Sequence, residues 1–340
     1  GDQRPDIVVG GYWNIYVYTQ TDAGGFSTTP QTIPHTAQYR QIDIIDLDQD
    51  GTQDVLLTYD TGAFAWLKSN GQTIEGSIRS ITDYYCNMDD FIDLKSAHLG
   101  VNTLFVFISD NKIIATERQN GTFQSRILLE NEIGIAQFVW IDANQDGKKD
   151  IVFRDFNSNI KISIAQTDGT YNTSKTLIDQ QVVFLFPLAV DQQDAILLFS
   201  PLQGKLTWHR IITYDVPLQE NIIATDAENL TDLCTADLNH DGWNDIVAVS
   251  KFSNSIAYYQ NQQNDTFAEA QSTNTDLDDL QSLAPIDIDQ DGDIDIATAA
   301  DDDNIIAYYL NDGQGNLSSA NIISQQVTGA SNLAAGDIDG

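Results

Sequence analysis

Four short stretches of this chain concentrate carboxylates at a spacing that serves one kind of chemistry. They read DLDQDGTQDVLL from Asp46, DANQDGKKDIVF from Asp142, DLNHDGWNDIVA from Asp237 and DIDQDGDIDIAT from Asp287. The shared pattern is D-x-[DN]-x-D-G-x-x-D followed by an apolar run. Alternate side-chain oxygens on a tight loop converge on one point, and Ca2+ takes about six to eight oxygens at roughly 2.3–2.6 Å. Glycine at the sixth position permits a sharp turn, the seventh residue can offer its backbone carbonyl, and the ninth carboxylate closes the cage. The expected ligands are Asp46, Asp48, Asp50 and Asp54 with the carbonyl of Thr52, and Asp142, Asn144, Asp146 and Asp150 with that of Lys148. Two further sets are Asp237, Asn239, Asp241 and Asp245 with the carbonyl of Trp243, and Asp287, Asp289, Asp291 and Asp295 with that of Asp293. Mg2+ suits such loops less, because it keeps water and demands octahedral geometry, and no His/Cys cluster points to zinc or copper. Crowded carboxylates repel one another until a cation neutralises them, so the metal is expected to contribute to stability.

A fifth site is divided between the two ends of the sequence. The chain closes on SNLAAGDIDG, whose Asp337 and Asp339 match the first two acidic positions. It opens on GDQRPDIVVG, whose Asp2 and Asp6 match the last two, with Arg4 in the carbonyl position and Gln3 where the other loops have glycine. Four to five structural Ca2+ ions are expected on this count.

Strands must hold these loops in place. The motifs start at residues 46, 142, 237 and 287, so the first two intervals are about double the third. Each motif runs on through an apolar strand, a polar turn, an alternating strand, a Gly/Asn/Asp turn and another strand, as in DIATAADDDNIIAYYLNDGQGNLSSANI. The same suffix without an acidic loop occurs as SDNKIIATERQNGTFQSRILL and LQGKLTWHRIITYDVPLQENII, one in each long interval. Counting the divided unit, seven units of about 48 residues span the chain.

Seven four-stranded units without helical periodicity predict an all-β fold, a seven-bladed β-propeller over residues 1–340. A solenoid would need capping ends, whereas the complementary termini favour a ring closed by pairing of the N- and C-terminal segments in one blade. The expected blades are 331–340 with 1–35, then about 36–86, 87–134, 135–181, 182–229, 230–277 and 278–330.

Composition narrows the function. The net charge is −34, supplied by 43 aspartates and only 7 glutamates, which places the acidity in turns more than on helices. Such a field repels nucleic acid and anionic membranes, and no apolar run reaches spanning length, so neither nucleic-acid binding nor membrane insertion is expected. Cys86 and Cys234 lie in dissimilar contexts and form no disulfide framework.

The acidic loops and suffixes such as IIAYYLNDGQGN resemble FG-GAP/VCBS-type repeats, the blades of integrin α-subunit-like propellers, over essentially the whole chain. That resemblance implies structural Ca2+ sites between the two inner strands of a blade, on the face away from the usual ligand surface. It carries no Ca2+ to the third and fifth blades, near 93–100 and 190–194, which lack the pattern. It leaves the ligand open.

In such propellers partners meet the turns between second and third strands and the connectors between blades. Here these include GGYWN with Tyr12 and Trp13, DTGA with Asp60, RDFNSN with Phe156, KFSNS with Phe252, and ADDDN with Asp301 to Asp303. The connector ITDYYCNMDDFID adds Tyr84, Tyr85, Asp89 and Asp90. Aromatic faces beside carboxylates and amides suit sugars, although Tyr84 and Tyr85 read more readily as packing against a neighbouring blade. Trp66, Trp140 and Trp208 read as core between blades. His35, His98, His209 and His240 are scattered with no evident nucleophile partner. N-x-S/T sequons at Asn120, Asn172, Asn229, Asn264 and Asn316 are candidate glycosylation sites, four of them near the outer hairpin turn.

The leading expectation is a non-catalytic, Ca2+-stabilised module, extracellular or at the cell surface, that recognises a glycan or an extracellular protein. A second is a structural subunit that self-associates into a filament or sheath through its complementary termini. A third is a polysaccharide lyase or hydrolase.

Overall fold

The run after each acidic motif is rich in β-branched and aromatic residues and continuously apolar, the signature of a strand covered on both faces. In the computed structural model, residues 3–22, 24–35, 39–59, 64–71, 73–75, 79–80, 94–99, 102–109, 111–119, 122–132, 134–179, 182, 184–190, 193–211, 218–227 and 229–339 are described. Among them the chain forms seven four-stranded antiparallel sheets and, apart from one 3-10 turn at Pro201–Gln203, no helix.

Sheet 1 contains β1 (Asp6–Gly10), β2 (Asn14–Tyr18) and β3 (Gln31–Pro34). Sheet 2 runs β4 (Tyr39–Ile45), β5 (Asp54–Tyr59), β6 (Phe64–Leu67), β7 (Arg79–Ser80), and sheet 3 runs β8 (Leu94–Leu99), β9 (Asn102–Ser109), β10 (Lys112–Gln119), β11 (Thr122–Leu129). Sheet 4 comprises β12 (Ile135–Ile141), β13 (Asp150–Asp155), β14 (Asn159–Ser163), β15 (Lys175–Asp179), and sheet 5 β16 (Phe184–Val190), β17 (Gln193–Ser200), β18 (Lys205–His209), β19 (Asn221–Ala224). Sheet 6 is built from β20 (Leu230–Ala236), β21 (Asp245–Ser250), β22 (Ser255–Tyr259), β23 (Gln271–Asn274), and sheet 7 from β24 (Leu280–Ile286), β25 (Asp295–Ala300), β26 (Ile305–Tyr309), β27 (Asn321–Ser324). The last strand, β28 (Asn332–Gly336), returns to sheet 1 and pairs with β1 from Asp6↔Gly336 to Gly10↔Asn332. The two ends of the chain therefore share one sheet.

Burial grades across each sheet. The second strand is fully buried in β1, β21 and β25, whereas the outer strand β23 is almost wholly exposed. The cause is face-to-face packing of neighbouring sheets, since each apolar cluster joins two of them. Val8, Ile15 and Val17 of sheet 1 meet Val55, Leu57 and Leu67 of sheet 2, and Ile7, Val9 and Tyr18 meet Ala297, Ala299 and Ile306 of sheet 7. Comparable clusters join sheets 3 and 4, 4 and 5, 5 and 6, and 6 and 7. Between sheets 2 and 3, Trp66 meets Phe123 edge to face at 6.3 Å. First strands also touch in series, β28 against β4, β12 against β16, β20 against β24 and β24 against β28. Seven such sheets in serial contact are the architecture of a seven-bladed propeller. No helix among the described residues is long and apolar enough to cross a membrane, which leaves strand-crossing barrels unaddressed.

Candidate metal centres and recognition face

The acidic loops lie between first and second strands, and backbone amides aim their carboxylates. In three loops the first aspartate accepts two successive amides. Asp46 takes those of Asp50 and Gly51 at 3.1 and 3.0 Å, Asp142 those of Asp146 and Gly147 at 3.0 and 2.9 Å, and Asp237 those of Asp241 and Gly242 at 3.1 and 2.8 Å. The fifth aspartate accepts the amide of the seventh residue, as Asp50 does from Thr52, Asp146 from Lys148, Asp241 from Trp243 and Asp291 from Asp293, at 2.9–3.0 Å. The glycine at position six has a positive φ in every intact loop, from +84° to +100°. Gln3 holds φ +58° at the equivalent point of the divided loop, in a region that costs a side chain energy.

The ninth aspartate behaves alike in all five loops. Asp6, Asp54, Asp150, Asp245 and Asp295 are buried. One oxygen of each accepts the amide of the loop's second residue (Ile338, Leu47, Ala143, Leu238, Ile288) at 2.9–3.2 Å. The other accepts an amide two residues beyond the third strand (Gln20, Ser69, Ala165, Asn261, Asn311) at 2.7–2.9 Å. This carboxylate thus clamps the loop to the exit of the third strand, a role the spacing did not reveal. Two of these oxygens accept a second bond, Asp6 Oδ2 from the Asp339 amide at 3.2 Å and Asp245 Oδ2 from the Tyr258 hydroxyl at 3.1 Å. Burial pushes the carboxyl of Asp6 up to about 7 and those of Asp54, Asp245 and Asp295 up to about 6, against the opposing pull of the amides.

Three groups bring carboxylate oxygens within 4.8 Å of one another: Asp46, Asp48 and Asp50; Asp287, Asp289 and Asp291; and Asp6, Asp337 and Asp339, the last drawn from both ends of the chain. Asp287 Oδ1 is buried and accepts no hydrogen bond among the described residues. The loops at Asp142 and Asp237 substitute the amide oxygens of Asn144 and Asn239, and these accept the amides of Asp146 and Asp241 at 3.0 Å. An oxygen-only donor set of this density fits a hard divalent cation. Asp2 lies outside the described residues.

Some partners could not be read from the motif. Lys68 reaches from the end of β6 onto Asp48 and onto Asp50, the latter at 2.6 Å. Against a desolvation that acts the other way, its hydrogen bond holds Asp50 well below the usual carboxylate range. Asp194 of sheet 5, which has no acidic loop, accepts the amide of Asp142 at 2.6 Å and pairs with Lys149 at 2.9 Å. His240 bridges to Asp293 of the next loop at 2.8 Å. Trp140 is half-buried and donates its indole N–H to the Lys149 carbonyl at 3.1 Å, while Trp66 and Trp208 are core.

At the opposite end of the second strands, the turns leading to the third strands expose large apolar side chains. Tyr12 is 50%, Trp13 72%, Phe156 61% and Phe252 72% exposed, and Leu202 of sheet 5, in a turn read only as polar, is 79% exposed. Beside them Lys251 pairs with Asp279 at 2.7 Å, and the Tyr12 hydroxyl donates to Asp301 at 3.4 Å. Tyr84, Tyr85, Asp89, Asp90, Asp60 and the sequon residue Asn120 lie outside the described residues. Asn229, Asn264 and Asn316 are exposed, and Asn172 is half-buried with its side-chain oxygen on the Ile164 amide at 2.7 Å.

The described side chains of His35, His209 and His240 stay apart. His35 is buried against the Gly11 carbonyl at 3.3 Å, and His240 sits in its acidic loop. His209 does have a hydroxyl neighbour, since Thr207, two residues away on the same strand face, places Oγ1 3.1 Å from its Nε2. Burial pushes that imidazole down to about 4, too weak a base to activate a hydroxyl at neutral pH.

Three stretches of the chain match a repeat of known type. The model of the FG-GAP-like repeat matches residues 1–57, 237–298 and 287–340, and these stretches are FG-GAP-like repeats. No protein of curated function matches the sequence. Among solved structures, an Agrocybe aegerita lectin described as recognising non-reducing terminal N-acetylglucosamine is 16% identical with a TM-score of 0.73, covering 98% of this chain and 94% of the lectin. The BP39L lectin of Burkholderia pseudomallei is 12% identical with a TM-score of 0.69, covering 95% and 96%. A 6-phosphogluconolactonase-like protein of Bacteroides fragilis is 13% identical with a TM-score of 0.62, covering 98% of each chain. At these identities the likeness is one of fold.

Proposed function

We propose that this protein is a non-catalytic carbohydrate-recognition module of the extracellular space, with its seven sheets closed into a ring and Ca2+ held in the acidic loops. The observation that carries the reading is the set of exposed aromatic side chains, Trp13, Phe156 and Phe252, in equivalent turns away from the acidic loops. Exposed rings beside carboxylates stack on the C–H faces of sugars while the acids accept hydroxyl protons. The two lectins of similar fold support this choice of ligand class. Millimolar extracellular Ca2+ suits several loops of modest affinity, and a cation would offset the cost of the clustered carboxylates.

The filament reading draws less support, because β28 and β1 pair within one chain. The hydrolase or lyase reading would draw on the ionisable groups beside the exposed turns, Lys251, Asp279 and Asp301.

A glycan array with Ca2+ present tests the proposal. The wild type is expected to bind a subset of glycans, and a Trp13→Ala/Phe252→Ala double variant to lose at least about tenfold in affinity, since each 1.4 kcal/mol is tenfold. No binding to any glycan, or undiminished binding by the double variant, would overturn it.

A further inference from the structure

Sheets 4 and 5 part around a cavity of about 240 Å3 that the exposed turns do not explain. His209, which lines it from the third strand of sheet 5, has counterparts that differ among the sheets, with Leu67 in sheet 2 and Ser163 in sheet 4. In sheets 1, 6 and 7 an isoleucine of the second strand faces a tyrosine of the third: Ile7↔Tyr18, Ile246↔Tyr259 and Ile296↔Tyr309. All three tyrosines are buried in the clusters that join their sheet to the preceding one. Sheet 5 places Ile196 opposite His209 instead, and Thr207 stands where sheets 6 and 7 carry Ala257 and Ala307. An imidazole fills less space than a phenol ring, and the threonine adds a hydroxyl.

Thr207 and His209 lie buried at the floor of the cavity. The Nε2 of His209 meets Thr207 Oγ1 at 3.1 Å, while its Nδ1 is buried and makes no well-formed hydrogen bond. Asp179 and Glu220 are exposed at the mouth, and Lys205 bridges to Glu220 at 2.6 Å. Leu198 and Leu218 supply apolar wall. Neutral hydroxyl and imidazole groups at the floor, an acceptor-rich rim and an apolar side match one ring that carries hydroxyls on its edge and C–H groups on its face. The space falls below the roughly 300–1,000 Å3 of drug-sized sites, which limits the occupant to a single ring. Two carboxylates against one ammonium at the rim, on a chain of net charge −34, disfavour an anion.

We propose that this cavity between sheets 4 and 5 binds one neutral pyranose residue, with Thr207 and His209 at its floor and Asp179, Lys205 and Glu220 at its mouth. The proposal rests on the carbohydrate-recognition reading and adds to it an enclosed site distinct from the exposed turns. Thr207, His209 and Lys205 belong to sheet 5, which has no acidic loop, so none of them is a candidate Ca2+ ligand.

The test titrates the whole protein with free D-glucose, D-galactose, D-mannose, L-fucose and N-acetyl-D-glucosamine while following the His209 ring resonances by NMR. At least one sugar is expected to shift them saturably. His209→Tyr, which restores the ring found in sheets 1, 6 and 7, is expected to weaken that sugar at least about tenfold while remaining folded, and Thr207→Val to weaken it several-fold through loss of one hydroxyl contact. The Trp13→Ala/Phe252→Ala variant is expected to retain it. If none of the five sugars shifts His209, or if His209→Tyr binds as well as wild type, the cavity is not a sugar site. Array binding that His209→Tyr leaves intact and Trp13→Ala/Phe252→Ala abolishes would sink the cavity while sparing the recognition reading. Loss of all array binding by the wild type would sink that reading itself.

Discussion

Sheets 5 and 7 are the same four-stranded unit, built without and with an acidic loop. In sheet 7 the loop from Asp287 to Asp295 separates β24 from β25, and Asp295 clamps it through the amides of Ile288 and Asn311 at 2.9 and 2.8 Å. In sheet 5, β16 and β17 pair as far as Val190↔Gln193, and Ala195 occupies the register position of Asp295. Both sheets nevertheless align four strands in the same order. The acidic loop is therefore not what makes a sheet. Burial of the second strand does that, and sheet 5 reinforces it with Phe184 stacked near Phe186 and Phe199, ring centres 6.1 and 6.0 Å apart. What the loop adds is a pinned edge, at the cost of a buried carboxylate.

Exchanging the two residues would break this comparison most severely. Ala195→Asp buries a charge with no clamp around it and is expected to cost about 3–5 kcal/mol in urea unfolding. Asp295→Ala strips the acceptor from two buried amides and is expected to cost about 2–4 kcal/mol. If Ala195→Asp were neutral, the clamp would not depend on its loop.

The next effect comes from acid. His209 is held neutral by burial, with its pKa lowered from 6.5 to about 4 despite the opposing charge of Glu220, and Lys205 adds to the lowering. The unfolded chain takes up its proton first as pH falls. The contribution of His209 is thus complete above pH 6.5 and disappears by about pH 4, a loss on the order of 3 kcal/mol. His209→Tyr should lack this component, so the gap between the two unfolding curves should change across that window; a constant gap would refute it.

Smallest for any single site, and most local, is the effect of chelation, expected at about 2–3 kcal/mol for each loop that Ca2+ fills at a hundredfold over its dissociation constant. Hydrogen exchange after chelator is added should accelerate at Leu47, Ser69, Ile288 and Asn311 and spare β17 and β18. Uniform acceleration, or none, would erase the distinction between the two kinds of sheet.

Much of this organisation was legible in the residues. The acidic motif is local and repeats at a fixed period, so the count of units and the pattern of strands could be read without coordinates. The clamp by the ninth aspartate was half legible, because its spacing is local but its second partner, such as Ser69 or Asn311, follows a hairpin of variable length. Lys68 at the Asp48 loop and Asp194 at the Asp142 loop were not legible, because each arrives from another strand or another sheet. Leu202 was missed because a Gly-containing turn reads as polar, while exposure depends on what covers it.

Sequence alone therefore determined what short-range chemistry decides: seven repeating units, carboxylates spaced for a cation, and strands buried on both faces. Tertiary structure decided how these units meet. It joined Asp337 and Asp339 to Asp6 across the whole length of the chain, and it placed His209 and Thr207 beside residues of sheet 4 around one cavity. The reason is that packing between sheets depends on which side chain faces which across a gap, and strand register, not adjacency in the chain, sets that pairing.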